Sequence, residues 1–104
     1  MPIIHVKEVT SLWEKSQGLL GSKKPHPLLL RTRFGIHTFG MKFPIDVIIL
    51  DKENRVVALR KNVKPNRLYF WNPMYNTVLE LPLGTIEEKK ILLQTSVEIE
   101  IDLT

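Results

Sequence analysis

The chain is short and mildly basic, with the composition of an ordinary globular protein. Of its 104 residues 43% are hydrophobic and 25% are charged, and the formal net charge is +4. This length predicts a single domain, residues 1–104, that buries about 60–65% of the surface its unfolded form exposes. The chain has no cysteines and only three well-separated histidines, so we expect no disulfide, no metal site and no cofactor.

The sequence shows no targeting signal and no membrane span. Its first residues acquire charge too early for a secretory segment, and no apolar run approaches the ~20 residues that cross a bilayer. We therefore expect a cytoplasmic protein without membrane attachment, with a monomer favoured. The excess of positive charge is mild and lacks dense Lys/Arg blocks, so nucleic acid is not expected as an obligate partner.

The N-terminal part predicts an edge strand, a helix and two further strands. Residues 3–9 alternate loosely, as in an edge strand, and Ser11 with Glu14 forms a capping box at the start of a helix that ends at Gly21. After a proline-containing loop the apolar period changes to two. This change predicts strands over 28–34 and 36–39.

The middle of the chain predicts a buried hairpin. Residues 45–50 form a near-continuous apolar run, which is typical of a strand covered on both faces. Residues 51–54 have the composition of a tight turn, and residues 55–60 return as the partner strand.

The C-terminal part adds three strands and a second helix. Thr85 and Glu88 form a second capping box, which opens a helix of about two turns. The predicted strands cover residues 67–71, 77–81 and 96–102, the last as an outer strand with one solvated face. The fold class is therefore α+β and predominantly β, a curled antiparallel or mixed sheet or an incomplete β-barrel with two short helices.

Three segments resemble, in the correct order, the motifs of the family called domain of unknown function 192 (DUF 192). They are a helix end at residues 14–21, a core at residues 37–51 and a strand end at residues 78–84. The resemblance implies a small, β-rich, barrel-like domain to which no biochemical function is assigned.

The chain departs from the family pattern at two places. Gly40 stands where the family usually has tryptophan, so an aromatic wall is either missing or supplied by Trp71. The family's arginine after the helix-end motif is absent here, where Gly21, Ser22 and Lys23 follow. If that arginine pairs with a ligand, Lys23 replaces it only in part, because an ammonium group lacks the bidentate fork of a guanidinium.

The core motif contains the strongest candidate site. His37, Lys42 and Asp46 fall within ten positions, around a proline-broken bend that leads into the buried strand. As a binding site, His37 would donate a proton or contact the ligand, Lys42 would contact an anion, and Asp46 would orient one of them. In the alternative interpretation Asp46 caps the turn and pairs with Lys42, while His37 bonds a backbone group.

One aromatic residue and two further carboxylates in the family-like segments are also candidates for function. Phe39 shares one face of an extended chain with His37 and Met41 and could form a wall of the site. Glu80 faces opposite to its apolar neighbours, so it is either solvated or part of the site, where it could work with Asp46 as an acid–base pair. Glu14 is explained by its capping box.

Residues 60–71 form a second cluster, in which four cations precede three aromatic side chains. Such a segment could hold phosphates and stack bases, or it could be a solvated basic loop followed by a core strand. Alternation places Tyr69 and Trp71 on one face and Phe70 on the other.

These observations favour a binding module for a small molecule or saccharide at His37, Lys42 and Asp46, with Phe39 and Glu80 as further ligand contacts. One alternative is a hydrolase that uses Asp46 and His37. No nucleophile elbow, metal motif or phosphate loop supports it, so enzymatic activity is not favoured. Another alternative is a weak single-stranded nucleic-acid binder through residues 60–71.

Overall fold

The structure is a computed structural model that describes residues 1–8, 26–33 and 35–102. The helix predicted to end at Gly21, and with it Glu14 and Lys23, lies outside the described residues. In chain order the elements are β1 (Ile3–Glu8), β2 (Leu28–Arg31), β3 (Ile36–His37), β4 (Ile45–Leu50), β5 (Val56–Val63), β6 (Leu68–Tyr69), β7 (Thr77–Pro82), α1 (Thr85–Glu88) and β8 (Glu98–Ile101).

Six strands form one mixed sheet in the order β5-β4-β7-β2-β1-β8, and β3 pairs with β6 in a separate two-stranded sheet. β1 runs parallel to both of its neighbours, β2 and β8, whereas the other pairs are antiparallel. The predominantly β, mixed-sheet prediction is confirmed, and β8 is an outer strand as predicted. The edge position predicted for the first strand is wrong, because β1 pairs with β2 on one side and with β8 on the other.

The sheet curls until its two edge strands meet at one end. Arg55, just before β5, forms an isolated bridge with Ser96, just before β8. The N–H of Val56 donates to the carbonyl of Thr95 at 2.9 Å, and the N–H of Gln94 donates to the carbonyl of Val56 at 2.8 Å. Beyond these contacts no ladder in the described part of the chain joins β5 to β8, so the sheet is curled but not closed.

Both faces of the large sheet are covered by apolar clusters. The first cluster includes Ile48, Leu79 and Ile86, and the second includes Val47, Val78 and Tyr69. β4 contributes alternate side chains to both clusters, and all six of its residues are buried. This confirms the prediction of a strand covered on both faces. Each fully buried aliphatic side chain contributes roughly 1.5–3 kcal/mol to the free energy of unfolding, so β4 makes a large contribution to the stability of the fold.

The helix α1 is shorter than predicted and lacks the predicted capping box. Its N-cap is Gly84, with φ 91°, and no side chain caps it locally. The hydroxyl of Thr85 instead donates to the carbonyl of Pro82 at 2.6 Å. The first-turn amides of Gly84 and Ile86 are satisfied by the side chain of Asp46 on β4. No helix in the described ranges is long and apolar enough to cross a membrane.

The small sheet is also shorter than predicted, because the chain turns directly after β3. The N–H of Met41 donates to the carbonyl of Thr38 at 3.2 Å, and Gly40 adopts φ 81°. A positive φ at the third turn position is typical of a type II turn and favours glycine. The turn buries Met41 in the second cluster, so the prediction that Met41 shares a face with His37 and Phe39 is wrong.

The predicted turn between β4 and β5 is confirmed and is organised by Asp51. Its Oδ1 accepts the N–H groups of Glu53 and Arg55, each at 2.9 Å, and its Oδ2 accepts the Nε–H of Arg55 at 3.1 Å. The N–H of Arg55 is the main cause that lowers the pKa of the Asp51 carboxyl, with further lowering by the N–H of Glu53 and the charge of Arg55.

Replacing Asp51 should therefore have a pH-dependent effect on stability. We expect Asp51→Ala to lower Tm at neutral pH, because the ionised carboxylate holds the turn. A group with a lowered pKa stabilises the fold above its unfolded pKa and loses this contribution as pH falls through its folded pKa. Thermal unfolding across a descending pH series should therefore show the two proteins converging. Lys52→Ala, in the same turn, is the control, and a Tm difference independent of pH would contradict the expectation.

Candidate functional site

The carboxylate of Asp46 is buried and bonded to backbone amides. Asp46 is 1% exposed. Its Oδ1 accepts the N–H of Asn62 at 3.1 Å, and its Oδ2 accepts the N–H groups of Gly84 at 3.1 Å and Ile86 at 3.0 Å. Three of the about four acceptor positions of a carboxylate are thus occupied. Asp46 joins β4 to β5 and to the start of α1, and it offers little surface to a ligand.

The structure separates the other members of the predicted site. Lys42 is exposed, and no ion pair between described residues joins it to Asp46. His37 is also exposed, accepts the N–H of Phe39 on Nδ1 at 3.3 Å, and stacks on the Phe39 ring with centroids 5.3 Å apart. His37 and Phe39 therefore form one unit at the surface, while Asp46 lies in the interior.

The two carboxylates Glu80 and Asp46 lie on opposite faces of the large sheet. Glu80 is directly opposite Val47, whereas Asp46 is directly opposite Leu81. Directly opposite residues project to the same face, and Val47 and Leu81 belong to different clusters. The acid–base pair considered from the sequence is therefore not formed. Glu80 is buried, so the interpretation that it is solvated is wrong.

Thr38 is a buried residue that sequence reasoning missed. Its hydroxyl donates to the carbonyl of Lys64 at 2.7 Å and accepts the N–H of Arg67 at 2.9 Å. Its backbone N–H donates to the carbonyl of Arg67 at 2.9 Å, and its carbonyl accepts the N–H of Asn66 at 3.0 Å. The available signal was a threonine on the inward side of an apolar segment, which needs partners for its hydroxyl. Thr38 joins the two sequence clusters into one region.

This region contains a shallow groove with a volume of about 320 Å³. We call it the cationic groove, and its described lining consists of Arg60, Asn62, Val63, Lys64, Arg67, Leu68 and Tyr69. Three of these residues are cations, and none of the described lining residues is acidic. The guanidinium of Arg60 lies 5.2 Å from the centre of the Tyr69 ring. The second sequence cluster therefore forms a concave, positively charged surface.

The small sheet carries exposed apolar side chains on the side away from the core. His37 is directly opposite Leu68, and the ring of Phe70 lies so close to Gly35 that an added Cβ there would be 2.6 Å from it. Exposure is 48% for Phe39, 57% for Leu68 and 64% for Phe70. We call His37, Phe39, Leu68 and Phe70 the outer face. Leu68 belongs to both the outer face and the cationic groove, so the two surfaces meet there.

The predicted alternation of the three aromatic residues is confirmed. Tyr69 and Trp71 pack toward the second cluster, with ring centroids 5.7 Å apart, and Phe70 points outward. The indole N–H of Trp71 donates to the carbonyl of Tyr75 at 2.8 Å. Trp71 is therefore directed inward and does not supply an exposed wall beside Gly40.

The arrangement is suited to binding an anion. Guanidinium groups bind phosphate and carboxylate in a bidentate manner, and a lysine ammonium adds a point charge. Among the described residues, no group of three His, Asp or Glu side chains is close enough to hold a metal ion. The described contacts of His37 are with Phe39 and Leu68, not with a carboxylate.

Comparison with known proteins identifies the class. The family model DUF192, described as an uncharacterized ACR, matches residues 3–99, so this chain belongs to the DUF192 family. This confirms the resemblance found in the sequence motifs. No curated protein sequence matches the chain significantly.

Two crystal structures share the fold. One is a protein of unknown function from Novosphingobium aromaticivorans, with a TM-score of 0.75 and 16% identity over 86% of this chain and 70% of that one. The other is a putative transcription regulator from Sinorhizobium meliloti, with a TM-score of 0.71 and 16% identity over 86% of this chain and 76% of that one. At this identity the similarity shows the fold alone.

The contacts of Asp46 predict that its replacement destabilises the fold. Asp46→Ala leaves three amide N–H groups without their acceptor, so we expect a loss of about 2–5 kcal/mol in the free energy of unfolding. Asp46→Asn keeps one carbonyl acceptor and should lose less. Urea denaturation measures both values, and Asp102→Ala, at an exposed position, is the control. A stable Asp46→Ala variant would contradict the structural role.

Proposed function

We propose that this DUF192 protein is a small ligand-binding module whose ligand places an anionic group in the cationic groove. The observation that carries the proposal is the concentration of three cations, Arg60, Lys64 and Arg67, in one concave surface whose described lining contains no carboxylate. Charges of one sign lining a cleft raise the local concentration of oppositely charged ligands. An anion would also relieve the repulsion among the three cations.

One of these cations is held in place before any ligand arrives. Arg60 lies over the ring of Tyr69, and such cation–π contacts contribute about 0.5–1 kcal/mol at exposed sites. Tyr69 is itself packed in the second cluster. Because Arg60 is already oriented, less side-chain entropy is lost on binding.

The backbone below the groove is also fixed. Asn62 and Asn66 adopt positive φ values of 56° and 63°, and such strained positions persist where the surroundings determine them. The N–H of Asn62 donates to Asp46, and the N–H of Asn66 donates to the carbonyl of Thr38. Two buried polar residues thus hold the segment that carries the cations.

The groove supports binding better than the site proposed from the sequence does. A saccharide site or a hydrolase centred on Asp46 requires a carboxylate that reaches the ligand, and the Asp46 carboxylate is engaged by three amides. His37 and Phe39 remain candidate contacts, because His37 is opposite Leu68 at the rim of the groove. We therefore keep the proposal of a binding module, but we assign its anion-binding residues as Arg60, Lys64 and Arg67 in place of Lys42.

The proposal predicts specific binding of small polyvalent anions. Titration with pyrophosphate, followed by NMR, should shift the amide signals of residues 60–69 more than those of the β4–β5 turn. Arg60→Gln and Arg67→Gln should each weaken binding about ten- to a hundredfold, since a hydrogen bond to a charged group contributes roughly 1.5–3 kcal/mol.

Lys52→Gln is the matched charge control, since it removes one cation at the other end of the β4–β5 hairpin. It should leave pyrophosphate affinity nearly unchanged. Uniform small shifts, or equal loss in all three variants, would show non-specific charge attraction and reject the groove as a site.

Tyr69 predicts a limit on stability at alkaline pH. Burial raises the pKa of the Tyr69 hydroxyl, and the nearby charge of Arg60 opposes part of this shift. A raised pKa means that the fold favours the neutral hydroxyl over the ionised one. The contribution of this hydroxyl to the free energy of unfolding is therefore lost as pH rises from the ordinary pKa of about 10 through the folded pKa. We expect Tyr69→Phe to lose less stability than wild type in this window, measured by urea denaturation. Tyr75→Phe is the control, and identical alkaline profiles for wild type and Tyr69→Phe would contradict the expectation.

A further inference from the structure

We propose that the ligand of this module is single-stranded nucleic acid, with its phosphates in the cationic groove and its bases on the outer face. This inference rests on the proposed anion site and adds a second, independent observation. The groove alone explains attraction to any anion. The apolar outer face beside the groove favours the class of anionic ligands that also have exposed aromatic rings.

The outer face has the layout of a stacking platform. Phe39 and Phe70 lie toward opposite ends of it, Phe39 beyond β3 and Phe70 against Gly35, with the His37–Leu68 pair between them. Both phenylalanines are about half exposed or more. Exposed aromatic side chains on a sheet stack successive bases, with little dependence on sequence.

The juxtaposition of the two surfaces matches the chemistry of a nucleic-acid strand. Leu68 lines the groove and also lies on the outer face, so a strand can cross from cations to aromatics without leaving the surface. A single strand presents an anionic backbone and accessible base faces side by side. A duplex hides its base faces in the stack and would engage only the cations, so the geometry favours a single strand.

The small number of cations sets the expected salt dependence. Binding of single strands weakens with a log–log slope of about −0.7 for each phosphate that is neutralised. For the three groove cations the slope should be roughly −2. A contact of this size needs the stacking contribution to give useful affinity at physiological salt.

Fluorescence anisotropy with a labelled single-stranded DNA of roughly eight nucleotides tests the proposal. Phe39→Leu and Phe70→Leu keep apolar bulk and remove the stacking ring, and each should weaken oligonucleotide binding about tenfold. Pyrophosphate binding should stay unchanged in Phe70→Leu, because Phe70 does not line the groove. Leu92→Ala, at another exposed apolar position, is the matched control and should bind like wild type. A folded state is verified for each variant by thermal unfolding.

The outcomes separate the two proposals. If the phenylalanine variants bind the oligonucleotide as wild type does, or if a duplex of the same sequence binds equally well, the stacking inference is overturned and the anion site stands. If the oligonucleotide does not bind at low salt while pyrophosphate does, the inference is overturned as well. If Arg60→Gln and Arg67→Gln change the binding of neither probe, the proposed function itself fails.

Discussion

The buried carboxylate of Asp46 is the interaction on which the architecture of this protein depends. Moving an ionised carboxyl group out of water costs several kcal/mol unless hydrogen bonds and charges replace the lost hydration. Here three backbone N–H groups, those of Asn62, Gly84 and Ile86, provide the replacement. Because they come from β5 and from the start of α1, one side chain fixes the relative position of three elements. It also satisfies helix amides for which no local cap exists.

Thr38 has the corresponding role on the other side of the groove segment. Its hydroxyl and backbone bond the chain at Lys64, Asn66 and Arg67. Asp46 bonds the same segment at Asn62. The backbone that carries the groove cations is therefore held at both ends by buried polar groups, while the charged ends of those side chains face solvent. Such an arrangement keeps like charges together without requiring them to be buried, which would cost far more than the hydrogen bonds provide.

The sequence was sufficient for features that depend on local pattern. The apolar run of β4, the Asp51 turn and the alternation at Tyr69, Phe70 and Trp71 follow from side-chain periodicity and turn chemistry, and the structure confirms them. Features that depend on distant pairing could not be read in this way. The interior position of β1 in the sheet depends on its pairing with β8, near the other end of the chain. The amide partners of Asp46 lie 16, 38 and 40 residues away from it in the sequence. The capping box at Thr85 fits the local pattern, but the helix begins one residue earlier, with Gly84 as N-cap, and the N–H of Glu88 donates to the carbonyl of Gly84.

The core motif lies beside the surface that we propose as the binding site, because His37 is directly opposite Leu68, whereas Asp46 points into the interior. Polar residues at the mouth of a buried strand must find hydrogen-bond partners whether or not they bind a ligand. In a chain of 104 residues, where the core is limited, Asp46 and Thr38 are used to fix the backbone. The side chains left to meet a ligand are exposed ones whose backbone is fixed by such residues. Arg60, Lys64 and Arg67 meet that condition, and Phe39 and Phe70 are exposed within two residues of the ends of the paired strands β3 and β6. Exposure on a fixed backbone, more than the mixture of chemical types in a motif, is therefore the criterion by which we propose the binding surface of this protein.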